Sequence, residues 1–103
     1  ILTSGQARSV PEGLDLIREL VRRAGKRIEI LPGAGIRPHN VRTIVEQTGV
    51  NQVHLSAFRT QYDSSVQHGP QIHFGGALHP PEDQYGLIDC NVIQCTSEQL
   101  DGL

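Results

Sequence analysis

Apolar residues in the first half of the chain form two series, each spaced as on one face of a helix. The first series ends before Gly25, which ends the predicted helix, and consists of Val10, Leu14, Ile17, Leu20, Val21 and Ala24. The second series, of Val41, Ile44 and Val45, predicts a helix over 38–48 that Gly49 ends in the same way.

Three short apolar segments alternate with these helices and predict strands near 1–3, 27–31 and 52–55. Strands that alternate with helices favour parallel neighbours joined by right-handed crossover helices, so we expect an α/β fold. The periodic pattern weakens at 58–90, where glycine and proline pairs interrupt it. We therefore expect this segment to be irregular and a last helix to follow at 97–103.

Length and composition limit the fold and the class of partner. The chain has 103 residues, which predicts one domain over 1–103. Nine basic and eleven acidic residues argue against a nucleic-acid partner, which requires a basic surface. Apolar runs are far shorter than the roughly 18–20 residues of a membrane span, so no membrane partner is expected. The chain starts on strand-like residues without Met or a signal-peptide pattern, as a piece of a longer sequence would.

Small residues end two consecutive predicted strands and are the main indication of a binding site. Ser56 and Ala57 end the strand at 52–55, and Ser4 and Gly5 follow the first strand. Without side-chain bulk, backbone N–H groups can approach a phosphate or carboxylate closely. We therefore predict a small-anion site from these residues and from the turn that follows 27–31, Gly33, Ala34 and Gly35. The alternative is that the glycines only allow tight turns.

Two further side chains are candidates for the same site. Arg59 follows Ser56 closely, so it either clamps the anion or is a solvated loop residue. His54 either points into the pocket one layer below Ser56 or is a hydrogen-bonded core histidine. No residue is assigned as catalytic, and none as a metal ligand, because Cys90 and Cys95 are a weak metal motif.

Three blocks of this sequence resemble the CutC family of copper homeostasis proteins. They are residues 1–5 (ILTSG), 31–36 (LPGAGI) and 53–57 (VHLSA), each preceded or followed by a helix-sized segment. The resemblance covers residues 1–57 well and is weaker over 58–103.

The resemblance implies that this is the C-terminal part of a TIM (β/α)8-type barrel. The segments 1–3, 27–31 and 52–55 would then be its sixth, seventh and eighth strands. It also implies a cytoplasmic protein associated with copper, and copper as a bound cofactor rests on this resemblance alone. Part of a barrel has open edges, so self-association through them is expected.

Three functions remain open at this point. The first is a CutC-like role in copper homeostasis, although a chain with two Cys and no Met is poor in the soft ligands that Cu(I) prefers. The second is a TIM-barrel enzyme or binding protein for a small phosphorylated or carboxylated metabolite. The third is a non-catalytic fragment. Whether the protein is an enzyme is left undecided.

Overall fold

A computed structural model of the chain describes residues 1–73 and 81–103, which form a mixed α/β structure. They divide into two compact units, Ile1–Ser56 with Cys90–Leu103 and Ala57–Asp89, where the sequence predicted one domain. The strands and helices, in chain order, are β1 (Leu2–Thr3), α1 (Leu14–Ala24), β2 (Leu31–Pro32), α2 (Pro38–Thr48), β3 (Phe58–Tyr62), β4 (Gln84–Ile88) and α3 (Cys90–Leu100).

The strands of the first unit are parallel, as predicted. β1 pairs with β2 through Leu2↔Leu31 and Thr3↔Pro32. Beyond β2, Gly33 forms a parallel bridge with His54, whose N–H donates to the Pro32 carbonyl at 2.8 Å. A helix therefore joins each parallel segment to the next, which is the β–α–β arrangement expected from the hydrophobic pattern.

The predicted extents of two strands are wrong. Only Leu31 of the segment 27–31 lies in a strand, and the segment 52–55 pairs only through the bridge at His54. The main-chain N–H of Arg27 donates to the Ala24 carbonyl at 3.1 Å, and its Nη2 donates to the Arg23 carbonyl at 2.6 Å. Arg27 is thus held against the end of α1, and the two residues of β1 leave little partner strand for pairing.

The helix predicted over 38–48 is confirmed, because α2 has these bounds. Its first turn is fixed by Asn40, whose Oδ1 accepts from the N–H of Arg37 at 2.8 Å and whose Nδ2 donates to the Gly35 carbonyl at 2.9 Å. Gly49 follows the helix with φ +74°, the left-handed conformation that glycine adopts without strain.

The core of the first unit lies between α1, α2 and the segments that flank β2. Each fully buried large side chain stabilises the fold by about 1.5–3 kcal/mol. Leu14, Leu20 and Leu100 are among the half-buried residues that pack against it. The core residues are Val10, Ile17, Ala24, Ile30, Ile36, Val41, Ile44 and Val50.

The last helix begins and ends earlier than predicted, at Cys90–Leu100 rather than at 97–103. It is positioned by Leu100, which packs on the core, and by Thr96, which is 3% exposed and donates its hydroxyl to the Val92 carbonyl at 2.7 Å. These residues recur every four positions and so define the inward face of α3.

The second unit is built on an antiparallel hairpin, so the prediction of an irregular segment at 58–90 is wrong at both strands. β3 pairs with β4 from Phe58↔Ile88 to Tyr62↔Gln84. The N–H of Asp89 donates to the Ala57 carbonyl at 2.6 Å and closes the base of the hairpin. Residues 74–80 of the predicted segment lie outside the described residues.

Across the described ranges 1–73 and 81–103, every helix is too short or too polar to cross a membrane.

Candidate functional site

Two loops that follow parallel strands contact each other at the carboxyl end of the sheet. The N–H of Val10 donates to the carbonyl of Ala34 at 2.9 Å and joins the loop after β1 to the loop after β2. Gly35, with φ +73°, lies so close to Ser9 that an added Cβ would stand 2.9 Å from the Ser9 Cβ. Gly35 is therefore required both for its backbone conformation and for this close approach.

Gly33 is needed for packing within the sheet. An added Cβ would stand 2.6 Å from Leu2 Cδ1 and 3.3 Å from His54 Cδ2. Its N–H donates to the Thr3 carbonyl at 3.0 Å and is not available to a ligand. Tight packing therefore explains why residue 33 is glycine, without a role in binding a ligand.

Ser4 and Gly5 likewise build their own loop. The Ser4 hydroxyl donates to the Ala7 carbonyl at 2.7 Å, and the Gly5 N–H donates to Thr3 Oγ1 at 3.0 Å. Gly5, with φ +77°, lies against Gly13, and an added Cβ would stand 2.4 Å from the Gly13 carbonyl oxygen. Ser4 and Gly5, which were predicted to bind the anion, thus use these groups for hydrogen bonds within their own loop.

Arg37, which the sequence analysis did not select, joins the loop after β2 to the third parallel segment. Its Nη1 donates to the Ile36 carbonyl at 3.0 Å and to the Ser56 carbonyl at 3.2 Å. Arg37, Ser56 and His54 are all exposed. Within residues 1–73 and 81–103, the Arg37 guanidinium makes no ion pair, whereas Arg18, Arg22, Arg23 and Arg42 each do.

The chemical capacity of this end of the sheet comes from Arg37 and the start of α2. The N–H groups of Gly35 and Ile36 donate to no partner among the described residues, and they lie just before Arg37, the N-cap of the helix. A helix N-terminus carries a partial positive charge, and a guanidinium presents several N–H donors. Together these groups are suited to an anion.

The remaining predicted site residues belong to the second unit. Ala57 is buried and its carbonyl accepts the N–H of Asp89. Arg59 is exposed in β3 and its Nη1 donates to Gln61 Oε1 at 3.3 Å. The predicted set is therefore divided between units, with Ser4, Gly5, Gly33, Ala34, Gly35, His54 and Ser56 in the first.

The cysteines are exposed and free on α3. Cys90 and Cys95 are five positions apart, about 140° around a helix and about 7.5 Å along it. Two thiolates on one ion stand at most about 4.6 Å apart, so an intact α3 does not bring both to one metal. Over the two described stretches of chain, His, Cys, Asp and Glu form no group of three that could hold an ion.

The resolved pKa shifts concern residues that are not part of this site. Hydrogen bonds from Arg22 and then Arg23 lower the pKa of Glu19 to about 2, and the same pairing raises the pKa of Arg22. Hydrogen bonds from the Ser65 side chain and backbone lower the pKa of Asp63. These shifts reflect surface ion pairing and local capping.

The model of the CutC family matches residues 1–59. The chain belongs to the CutC family. This confirms the resemblance that the blocks at 1–5, 31–36 and 53–57 indicated.

Several curated relatives align over most of this CutC chain. A CutC family protein of Treponema denticola is 49% identical over 83 residues, which are 81% of this chain and 34% of the relative. The copper homeostasis protein cutC homolog of Dictyostelium discoideum is 43% identical over 96 residues, 91% of this chain and 34% of its own. A CutC family protein of Bacteroides fragilis is 30% identical over 100 residues, 97% of this chain and 40% of its own. The chain thus spans about a third of the length of these relatives.

Proposed function

We propose that this chain acts in copper homeostasis as part of a CutC-type protein. The observation that carries the proposal is family membership, together with a Dictyostelium relative that is named for copper homeostasis and aligns with 91% of this chain. The alignment extends past the family match at 1–59 and includes most of the chain. The copper role is therefore proposed for the whole sequence and not for its first half alone.

Within that role, we propose that the segment is the C-terminal part of a TIM-type barrel. The parallel order of β1, β2 and the His54 segment, with α1 and α2 between them, supports this proposal because it is the repeating unit of such barrels. The last helix, α3, follows the third parallel segment as the final helix of a barrel would.

The copper role is tested by growth. A host whose own CutC gene is deleted receives this chain, the full-length relative from Treponema denticola, or an empty vector, and copper tolerance and cell copper content are measured. The proposal expects the full-length relative to restore tolerance and this chain to change cell copper in the same direction. Growth and copper content equal to the empty vector for both proteins would overturn it.

A second candidate function, binding of a small anion at the carboxyl end of the sheet, is favoured by one observation. Arg37 joins two of the three loops there and carries a positive charge that no described acidic side chain neutralises. The Gly35 and Ile36 N–H groups lie beside it at the start of α2. A phosphate or carboxylate would receive both the charge and these donors.

This candidate is tested by titration of the chain with sulfate, inorganic phosphate and acetate. Arg37→Gln is expected to weaken binding about fivefold, the size of one exposed charge-assisted hydrogen bond of about 1 kcal/mol. Arg42→Gln is the matched control, because it removes the same charge from an exposed position on α2. If both variants lost the same anion affinity, the effect would be one of net charge, and the proposed anion site would be refuted.

A further inference from the structure

A cavity of about 410 Å³ lies at the amino end of the parallel segments, at the opposite end of the sheet from Arg37. Its walls are the two loops that lead from a helix into a strand, residues 24–30 and 49–51, with Val21 from α1. We call it the loop cavity. Its volume is within the range of about 300–1,000 Å³ typical of small-molecule sites.

The floor of the loop cavity is apolar and its mouth is open. Ala24, Ile30 and Val50 are at most 8% exposed and belong to the core. Gly25 and Gly49 end α1 and α2 with positive φ, and an added Cβ at either would meet no atom within 4 Å. Because both helices end in glycine, no side chain from these two positions fills the cavity.

Opposite charges line the cavity without neutralising each other. Lys26 makes no hydrogen bond or ion pair in the part of the chain that the structure describes, and its ammonium is exposed. The Glu29 carboxylate accepts one hydrogen bond, from Gln52 Nε2 at 2.6 Å, through a single oxygen. Arg27 also lines the cavity; its guanidinium donates to the carbonyls of Arg23 and Ala24 at the end of α1 and keeps its positive charge, so the carboxylate of a ligand is favoured by two basic residues.

The apolar floor and the opposite charges of the loop cavity together favour one chemical class of ligand. A purely anionic ligand would be attracted by Lys26 and repelled by Glu29, and a purely cationic ligand would meet the reverse. A ligand with one carboxylate, one ammonium and an apolar branch satisfies both charges and covers the floor. We infer that the loop cavity binds a small zwitterion with an apolar side chain, the chemistry of a free aliphatic amino acid.

The test uses this chain and three related ligands: L-leucine, isocaproate, which lacks the ammonium, and isoamylamine, which lacks the carboxylate. Binding is followed by nuclear magnetic resonance through the amide signals of Gly25 and Gly49, which report on the cavity itself. Leucine is expected to bind at least tenfold more tightly than either of the other two. Lys26→Gln, which removes the partner of the carboxylate, should reduce the affinity for leucine to that for isoamylamine. Glu29→Gln, which removes the partner of the ammonium, should reduce it to that for isocaproate.

Matched controls separate the site from general charge and from folding. Arg42→Gln and Glu46→Gln remove the same charges from the outer face of α2 and should leave leucine binding unchanged. Asn51→Trp adds bulk at an exposed position of the wall and should abolish binding while circular dichroism stays that of the parent. Leucine that leaves both glycine signals unshifted, binds no better than isocaproate, or is weakened equally by Lys26→Gln and Arg42→Gln would overturn the inference.

Discussion

The contact between Gly5 and Gly13 allows a sharp prediction about the loop after β1. Gly13 has φ −103° and ψ 11°, which alanine can adopt, so Gly13→Ala causes no backbone strain of its own. The new methyl group would, however, stand 2.2 Å from the Ser4 carbonyl oxygen and 2.9 Å from the Gly5 Cα. Ordinary contact begins near 3.4 Å, so the Ser4–Gly5 backbone must move by about 1 Å.

The expected loss of stability follows from two contributions. Overpacking against backbone atoms costs about 1–3 kcal/mol. Gly13 is also the N-cap of α1, where alanine is less favourable than glycine by a further few tenths to about 1 kcal/mol. Gly13→Ala should therefore lower the free energy of unfolding by roughly 1.5–4 kcal/mol.

The assay is urea unfolding followed by far-ultraviolet circular dichroism, which reports on α1, α2 and α3, all in the first unit. Gly49→Ala is the matched control, because Gly49 has φ +74° but open space around an added Cβ. Its cost is backbone strain alone, about 1–2 kcal/mol. A loss for Gly13→Ala that is no larger than the loss for Gly49→Ala would refute the role assigned to the Gly5–Gly13 contact.

Three further predictions concern the helices. Glu19 has a pKa lowered to about 2, so the stability that its ionised carboxylate gives α1 is present above its ordinary pKa of 4.5 and is lost as the pH falls toward 2. Glu19→Gln and Arg22→Gln should both reduce the dependence of the free energy of unfolding on pH between 4.5 and 2, measured by urea unfolding. Cys90→Ser with Cys95→Ser should leave the Cu(I) stoichiometry of the chain unchanged in competition with a chromogenic chelator, and a drop of one copper per chain would contradict the helix geometry. Ile44→Ala, at a side chain 1% exposed, should lower the free energy of unfolding by about 2–5 kcal/mol in urea, and a change below about 1 kcal/mol would show that Ile44 is not in the core.

The sequence predicted α2 closely because its ends carry strong local signals. Pro38 at the first turn and Gly49 after the last are residues whose backbone preferences match those positions. Strands lack such signals, since a strand is defined by its partner. β2 is limited to Leu31–Pro32 by the two residues of β1 and by the attachment of Arg27 to α1, and neither could be inferred from local hydrophobicity.

The hairpin and α3 were predicted less well for different reasons. Phe58–Tyr62 and Gln84–Ile88 are separated by a long connection, and their side chains are mostly exposed, so the sequence lacks the alternation of buried and exposed residues. For α3 a signal was present, because Val92, Thr96 and Leu100 recur every four positions. It was obscured because the buried member, Thr96, is polar and resembles a cap.

The sequence analysis selected small residues for the candidate anion site but did not select Arg37. The small residues at 33–35 and 56 do lie at the carboxyl end of the parallel segments. Proximity in sequence to Ser56 favoured Arg59, which lies in the second unit, whereas Arg37 reaches the Ser56 carbonyl from nineteen positions away. Contacts of this kind depend on the crossover helix returning the chain to the same edge.

The closed base of the hairpin bears on how this chain could change in length. The 2.6 Å hydrogen bond from Asp89 to Ala57 brings the first and last residues of the second unit together, so a short turn could join the chain on either side of it. Replacement of the residues between Ala57 and Asp89 by a short turn would keep all residues of the first unit and would lower the free-energy cost of loop closure by only about 1–2 kcal/mol. The position between Ala57 and Asp89 is therefore where we expect the first unit to tolerate a change of chain length best, and where a foreign segment could be inserted.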